Sequence, residues 1–156
     1  MRDDGTGTME AVYFGNSSGG TMNHGGRGRG PWVMADLEKG LWGANITQSN
    51  EPPLHANYVT VMLKGGPDLF ALKGGDAQAG TLTTFYEGIR PSGASLPGGG
   101  RYNPMRKKGG IILGIGGDNS DKGTGTFFEG AMTRGYASEA TDAAVQANVV
   151  AAHYGR

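Results

Sequence analysis

Two acidic residues stand two positions apart in the segment 32–42, which reads WVMADLEKGLW. Because alternate side chains of a β-strand point to the same face, an extended backbone would present Asp36 and Glu38 on one surface. Two carboxylates placed in this way raise the proton affinity of one or both groups, an arrangement that acid/base and nucleophilic sites use. Alternating acids are also ordinary on the solvated face of a strand, so the spacing alone leaves both interpretations open.

A third acid, Asp118, follows an apolar run that ends in glycines, in the sequence GIGGDNS over 114–120. The glycines, Gly117 among them, allow another group to approach the backbone closely. The surrounding sequence does not fit a phosphate-binding loop, because no G-x-G-x-x-G follows a strand and opens a helix, and no Gly-Lys-Ser/Thr occurs. The segment therefore offers a carboxyl group at the end of a strand, without a nucleotide motif around it.

Metal binding finds little support in the pattern. The stretch that begins at Asp118 places four residues as an EF-hand calcium loop does, but Lys122 occupies the fifth position, where a ligand oxygen belongs. The four matching residues are Asp118, Ser120, Gly123 and Glu129. The three histidines are scattered and the chain has no cysteine, which argues against zinc. We expect neither a metal nor another cofactor.

Composition excludes further classes of function. The absence of cysteine rules out a disulfide framework and a cysteine nucleophile within this chain. Fourteen Lys and Arg residues balance fourteen Asp and Glu residues, so no overall field attracts nucleic acid or an anionic membrane surface. No apolar stretch approaches the length of about 18 residues that a membrane span needs. We therefore expect neither a nucleic acid nor a membrane as partner.

Short β-like runs separated by glycine-rich turns must position these acids. Thirty-one glycines and seven prolines among 156 residues make long helices improbable over most of the chain, and the rhythm is typical of an antiparallel sandwich. Strands are expected over 9–14, 32–37, 58–64, 70–73, 81–86, 110–115 and 126–133. The tetrapeptide Leu-Lys-Gly-Gly occurs at 63–66 and again at 72–75, and the turn residues between the two copies predict a hairpin.

The C-terminal region has a different composition. Residues 139–152 are rich in alanine and contain neither glycine nor proline, and Ser138 can cap their N-terminus. The sequence therefore predicts one helix here, which packs against and closes a single domain over 1–156.

Five segments together carry a resemblance that is far more specific than any carboxylate pair. They are 30–38, 71–77, 110–120, 126–130 and 143–152, with the sequences GPWVMADLE, ALKGGDA, GIILGIGGDNS, TFFEG and AAVQANVVAA. In this order they resemble the C-terminal half of the catalytic domain of the α-L-arabinofuranosidase B family, glycoside hydrolase family 54. The resemblance implies an all-β, concanavalin-like antiparallel sandwich of jelly-roll type, present here in part, with one short C-terminal helix.

The resemblance also implies roles for individual residues. It maps the nucleophile of a retaining mechanism onto Glu38 and the general acid/base onto Asp118, and it places Asp36 and Gly117 against the arabinose ring. Lys39 and Gly40 correspond to two further sugar contacts, although family members usually carry Asn where this chain has Lys39. No cofactor is implied.

The implied activity is the removal of terminal α-L-arabinofuranosyl groups from arabinoxylan or arabinan. The partner is then an arabinose-containing polysaccharide or oligosaccharide, and the implied location is extracellular, although Met1 is not followed by the apolar stretch of a signal peptide. Two alternatives stay open at this point: a non-catalytic, lectin-like sandwich or inactive fragment, and a purely structural glycine-rich module.

Overall fold

In the computed structural model of the 156-residue chain, the described residues are 11–15, 29–36, 41–42, 52–66, 69–88 and 125–156. They form two three-stranded antiparallel sheets and one helix near the C-terminus. The elements are β1 (Ala11–Gly15), β2 (Trp32–Asp36), β3 (Leu41–Trp42), β4 (Val59–Gly65), β5 (Phe70–Asp76), β6 (Thr83–Gly88) and α1 (Glu139–Ala151).

The first sheet has the strand order β1-β2-β3, so β2 is its central strand. Its pairing with β1 runs from Gly15 opposite Trp32 to Ala11 opposite Asp36. On the other side, Asp36 lies opposite Leu41 in β3. β2 is therefore paired with β1 along its whole length, and with strands on both sides at its last two residues, Ala35 and Asp36.

The second sheet has the order β4-β5-β6 and contains the predicted hairpin. Gly65 lies opposite Phe70 across the turn, and Leu63 lies opposite Leu72. The pairing of β5 with β6 shifts between Leu72 and Lys73, which lie opposite Tyr86 and Thr84. This β-bulge adds one residue, Phe85, to β6, and as a result both Phe85 and Tyr86 pack against the core.

The two sheets pack face to face around a small apolar core. Val33 of the first sheet and Phe70 and Leu72 of the second are fully buried and form its centre. At Gly74 a Cβ atom would lie 2.9 Å from Val33 Cγ2 and 2.7 Å from Phe85 Cε2. Glycine at position 74 is therefore what allows the two sheets to approach this closely.

Helix α1 covers the outer face of the second sheet. Ser138 caps its N-terminus, accepting a hydrogen bond of 3.2 Å from the backbone N–H of Thr141. The side chains of Asp142 and Gln146, one helical turn apart, are both buried against the sheet. Gln146 donates a 2.8 Å hydrogen bond from Nε2 to the carbonyl oxygen of Asp76 and so ties the helix to the end of β5.

The predicted all-β antiparallel sandwich with one short C-terminal helix is confirmed, and so are the hairpin and the cap at Ser138. The strand predicted over 126–133 is wrong. These residues are exposed and have no regular secondary structure. Phe128 packs against the rings of Tyr58 and Tyr154, so this segment contacts the aromatic side chains near the C-terminus instead of pairing with a sheet. The strand predicted over 110–115 lies outside the described residues, and the single domain over 1–156 stays a prediction.

Candidate functional site

Asp36 is the last residue of the central strand of the first sheet. Its backbone lies between Ala11 of β1 and Leu41 of β3. Four residues, 37–40, connect Asp36 to Leu41, and Glu38, Lys39 and Gly40 are among them. Asp36 and Leu41, which flank this connection, therefore lie opposite each other at one end of the paired strands.

The packing between the sheets shows at which end of the sandwich Asp36 lies. Pro31 and Asp76 line a common groove, and Val33 contacts Gly74, so β2 and β5 run in opposite directions across the core. Asp36 therefore lies towards the end at which β5 begins with Phe70.

Most of the residues implied by the resemblance lie outside the described residues. This applies to Glu38, Lys39, Gly40, Gly117 and Asp118. For Asp36, the structure describes the position of the residue at the end of β2 and its backbone pairing. The shared face of Asp36 and Glu38, and the closeness of Glu38 to Asp118, accordingly stay predictions.

Sequence reasoning missed a second group of charged residues, which lies between α1 and the second sheet. Lys64 of β4 and Lys73 of β5 are both buried, and both donate to Oδ2 of Asp142, at 2.6 Å and 2.8 Å. Glu139, one turn earlier on the helix, accepts from Lys73 at 2.5 Å and from Lys64 at 3.2 Å. We call these four residues the charge cluster.

The repeated tetrapeptide was the signal for this cluster. In the hairpin register, Leu63 and Leu72 lie directly opposite each other and pack on the core side. The lysine that follows each leucine must then point to the other face of the sheet, towards α1. Each copy of Leu-Lys-Gly-Gly therefore has the same role in its strand: its leucine packs in the core and its lysine binds the helix.

Hydrogen bonding overcomes the effect of burial on the protonation of the cluster. Burial alone would raise the pKa of Asp142, but the hydrogen bonds from Lys64 and Lys73 outweigh it and lower that pKa below its ordinary value. Burial would likewise lower the pKa of Lys73, yet its bonds to Asp142 and Glu139 raise it. The pKa of Glu139 is lowered, chiefly by Lys73. Lys73, Asp142 and Glu139 are therefore charged at neutral pH.

A tyrosine extends the cluster towards β6. The Nζ of Lys64 lies 4.2 Å from the centre of the Tyr136 ring, a cation–π contact. The Tyr136 hydroxyl donates a 2.9 Å hydrogen bond to Oε1 of Glu87, and burial together with this carboxylate raises the pKa of Tyr136. Because its lysines and Asp142 are buried and bonded to one another, the cluster fastens the helix to the sheet and does not face a substrate.

Within the ranges given above, no three metal-ligating side chains come together. No helix among those residues has the length and apolar character needed to cross a membrane.

Comparisons with known proteins agree on one family. The family described as "Alpha-L-arabinofuranosidase B, catalytic" matches residues 1–155. An "Arabinofuranosidase/B-xylosidase" of Trichoderma koningii is 52% identical over 155 residues, which are 98% of this chain and 29% of that protein. The "Alpha-L-arabinofuranosidase B" of Emericella nidulans is 52% identical over 154 residues, 97% of this chain and 29% of that protein. The chain thus spans less than a third of these relatives.

Solved structures show the same relationship. A glutamate-to-glutamine mutant of a GH54 α-L-arabinofuranosidase, soaked with 4-nitrophenyl α-L-arabinofuranoside, superposes with a TM-score of 0.77 at 45% identity. An arabinofuranosidase in complex with arabinofuranosyl-α-1,2-xylobiose gives the same TM-score and identity, over 97% of this chain and 30% of that one. The chain therefore belongs to the family of the α-L-arabinofuranosidase B catalytic domain, glycoside hydrolase family 54.

Proposed function

We propose that this chain is part of a retaining α-L-arabinofuranosidase that releases terminal α-L-arabinofuranosyl groups from arabinoxylan or arabinan. The observation that carries the proposal is the family match over residues 1–155. One relative with the same fold is in complex with an arabinofuranosyl-xylobiose and a mutant of such an enzyme was soaked with an aryl arabinofuranoside, which supports an arabinofuranoside as substrate. Such polymers are too large to enter a cell, so the proposal also places the protein outside it.

In the proposed mechanism, two carboxyl groups share the chemistry. The ionised carboxylate of Glu38 attacks the anomeric carbon while the protonated Asp118 gives its proton to the departing glycosidic oxygen, through an oxocarbenium-like transition state. Asp118, now ionised, then takes a proton from water as the water oxygen attacks the anomeric carbon, which releases arabinose and regenerates Glu38. Two inversions leave the anomeric configuration unchanged. This mechanism asks the two carboxyl groups to lie about 5 to 5.5 Å apart.

The remaining proposed contacts hold the sugar ring. Asp36 accepts hydrogen bonds from sugar hydroxyls, and Lys39, Gly40 and Gly117 lie against the ring. The place of Asp36 at the end of a central strand supports this assignment, since pairing on both sides limits the movement of its backbone. The flanking pair formed by Asp36 and Leu41 likewise anchors both ends of the connection that carries Glu38.

Methanol transfer tests the proposal directly. With 4-nitrophenyl α-L-arabinofuranoside and added methanol, a retaining enzyme transfers arabinose from its glycosyl intermediate to methanol with the α configuration. We expect methyl α-L-arabinofuranoside from the wild-type chain and none from Glu38→Gln, which keeps the shape of the side chain but removes its charge. Formation of the β anomer would contradict retention. Binding of arabinofuranosides without any turnover would instead favour the lectin-like alternative.

A further inference from the structure

A polar groove lies at the other end of the sandwich from Asp36. Its volume is about 420 Å³, and it is lined by Pro31, His55, Ala56, Asn57, Asp76 and Gln78. Pro31 precedes β2 directly and Asp36 ends it, so the two residues are about 16 Å apart at the usual rise of a strand. The groove is therefore separate from the end that carries the proposed catalytic connection.

Hydrogen bonds hold the walls of the groove. The carbonyl oxygen of Pro31 accepts a 2.9 Å bond from the backbone N–H of Leu54. Oδ1 of Asp76 accepts from the backbone N–H of Gln78 at 2.8 Å, and Nε2 of Gln78 donates to the carbonyl oxygen of Tyr154 at 2.6 Å. Since these bonds come from three different parts of the chain, the groove keeps its shape without a ligand.

The groove also presents polar groups that are free to bind. Within the part of the chain that the structure describes, the side chains of His55 and Asn57 and the second carboxylate oxygen of Asp76 have no hydrogen-bond partner. Together they offer donors and acceptors in one cavity. The lining contains one carboxylate and neither Lys nor Arg, which disfavours an anionic ligand. This mixture suits the hydroxyl groups of a neutral sugar.

Three aromatic residues adjoin the residues that line the groove, without being part of that lining themselves. Tyr58 follows Asn57 in the chain, and the carbonyl of Tyr154 is the acceptor for Gln78. The rings of Tyr58, Tyr154 and Phe128 lie with their centres 5.3 to 5.7 Å apart, and Phe128 is 55% exposed. An exposed aromatic ring of this kind can cover the C–H face of a sugar, since both surfaces are apolar. We call these three residues the aromatic cluster.

We propose that the groove and the aromatic cluster form a second binding site, which takes a neutral oligosaccharide backbone. A polysaccharide held there stays close to the protein while its side groups reach the opposite end of the sandwich, which raises their effective concentration. The choice of a xylose backbone as ligand rests on the proposed function, whereas the preference for a neutral sugar follows from the groove itself.

The test is an NMR titration of the ¹⁵N-labelled chain with xylotetraose, which carries no arabinose and so leaves the proposed arabinose subsite empty. We expect Asn57→Ala and Phe128→Ala each to raise the Kd about three- to tenfold, as for the loss of one hydrogen bond or one apolar contact. Phe127→Ala and Asn148→Ala are the matched controls, since both residues are exposed and lie outside the site. Both controls should leave the Kd unchanged, and so should Glu38→Ala.

Several results would overturn the second site. These are the absence of xylotetraose binding, equal loss of affinity in the matched controls, loss of binding on Glu38→Ala, or equal affinity for anionic tetragalacturonate. Hydrolysis of 4-nitrophenyl α-L-arabinofuranoside reports separately on the proposed function, because this substrate has no backbone to occupy the groove. Hydrolysis without xylotetraose binding rejects the second site alone, and binding without hydrolysis rejects the proposed function alone.

Discussion

The two sheets of the sandwich place their charged residues in different settings. In the second sheet, Lys64 and Lys73 are buried beneath α1 and bonded to the carboxylates of Asp142 and Glu139. In the first sheet, the central strand contributes Val33 to the core and ends at Asp36, beside the connection that carries Glu38. A charged group that holds two elements together can be enclosed and paired, whereas a group that reacts must keep an electron pair facing its substrate.

This difference implies that stability and chemistry can be perturbed separately. The charge cluster lies on the outer face of the second sheet, and the core separates it from the first. Substitutions in the cluster should therefore change the free energy of unfolding, and substitutions at the proposed site should change catalysis at nearly constant stability.

The largest effect on stability is expected for Asp142→Ala. Asp142 is 2% exposed and accepts from both buried lysines, so its removal leaves two ammonium groups with one mostly exposed partner. We expect the free energy of unfolding to fall by about 3 kcal/mol, the lower end of what breaking a buried ion pair costs. Urea denaturation followed by circular dichroism measures it.

Glu139→Ala is the matched control for this substitution. The Glu139 side chain is 68% exposed and makes the same two ion pairs, so water can replace it and the loss should be clearly smaller. Equal losses for the two variants would show that burial does not distinguish Asp142.

The next largest effect is expected at the contact between the two sheets. A methyl group at Gly74 would come within 3 Å of Val33 and Phe85, so Gly74→Ala should destabilise the fold by about 1 to 3 kcal/mol through overpacking. Gly125→Ala is the control, since nothing lies within 4 Å of its added Cβ. Thermal unfolding of both variants decides the point, and an unchanged Tm for Gly74→Ala would contradict the close approach of the sheets.

We expect the charge cluster to influence the pH dependence of the free energy of unfolding in both the acidic and the alkaline range. Because the folded-state pKa values of Asp142 and Glu139 are lowered, their contribution is present above the ordinary values of 3.8 and 4.5 and is lost as the pH falls through the lowered values. The pKa of Lys73 is raised, so its contribution is complete below 10.5 and is lost as the pH rises through the raised value.

Unfolding free energies measured across this pH range for the wild type and for Asp142→Asn test the assignment. The variant should lose less stability on acidification, because it lacks one carboxylate that must be protonated. If the free energy of unfolding falls equally steeply with decreasing pH in the wild type and the variant, the acid sensitivity arises elsewhere in the chain.

The smallest effect is expected at the helix cap. Ser138→Ala removes the acceptor for the backbone N–H of Thr141 and should cost about 1 kcal/mol. Ser138→Asn keeps a capping oxygen and should stay close to the wild type. If both substitutions lower the Tm equally, the serine contributes something other than the cap.

Elements that depend on residues close together in the chain, such as a tight turn or a capped helix, could be predicted from the sequence. Glycine and proline at 65–67 predicted the hairpin, and Ser138 followed by an alanine-rich run predicted α1. The strand predicted over 81–86 lies two residues too early at both ends, since β6 runs from Thr83 to Gly88 and its limits are set by the pairing with β5.

The repeated tetrapeptide could have placed the two lysines on one face of the hairpin, but their acidic partners could not be predicted because these lie far away in the chain. Lysine is ordinarily solvated, and no residue near Lys64 or Lys73 indicates that Asp142, 78 and 69 residues later, will accept hydrogen bonds from them. At the candidate site, the strand position of Asp36 was predictable from the apolar run before it. The roles proposed for Glu38 and Asp118 came from the resemblance, because the sequence alone does not indicate whether two acids 80 residues apart come together.

Azide rescue tests the central claim, that Glu38 is the nucleophile and Asp118 the acid/base, most directly. With an aryl arabinofuranoside whose leaving group needs no protonation, azide should restore turnover to Glu38→Ala with an inverted glycosyl azide as product, because azide takes the place of the nucleophile. It should restore turnover to Asp118→Ala with a retained azide, because it then attacks the glycosyl intermediate. The opposite stereochemistry in the two variants would mean that the roles are exchanged, and full activity in both without azide would remove the pair from the mechanism.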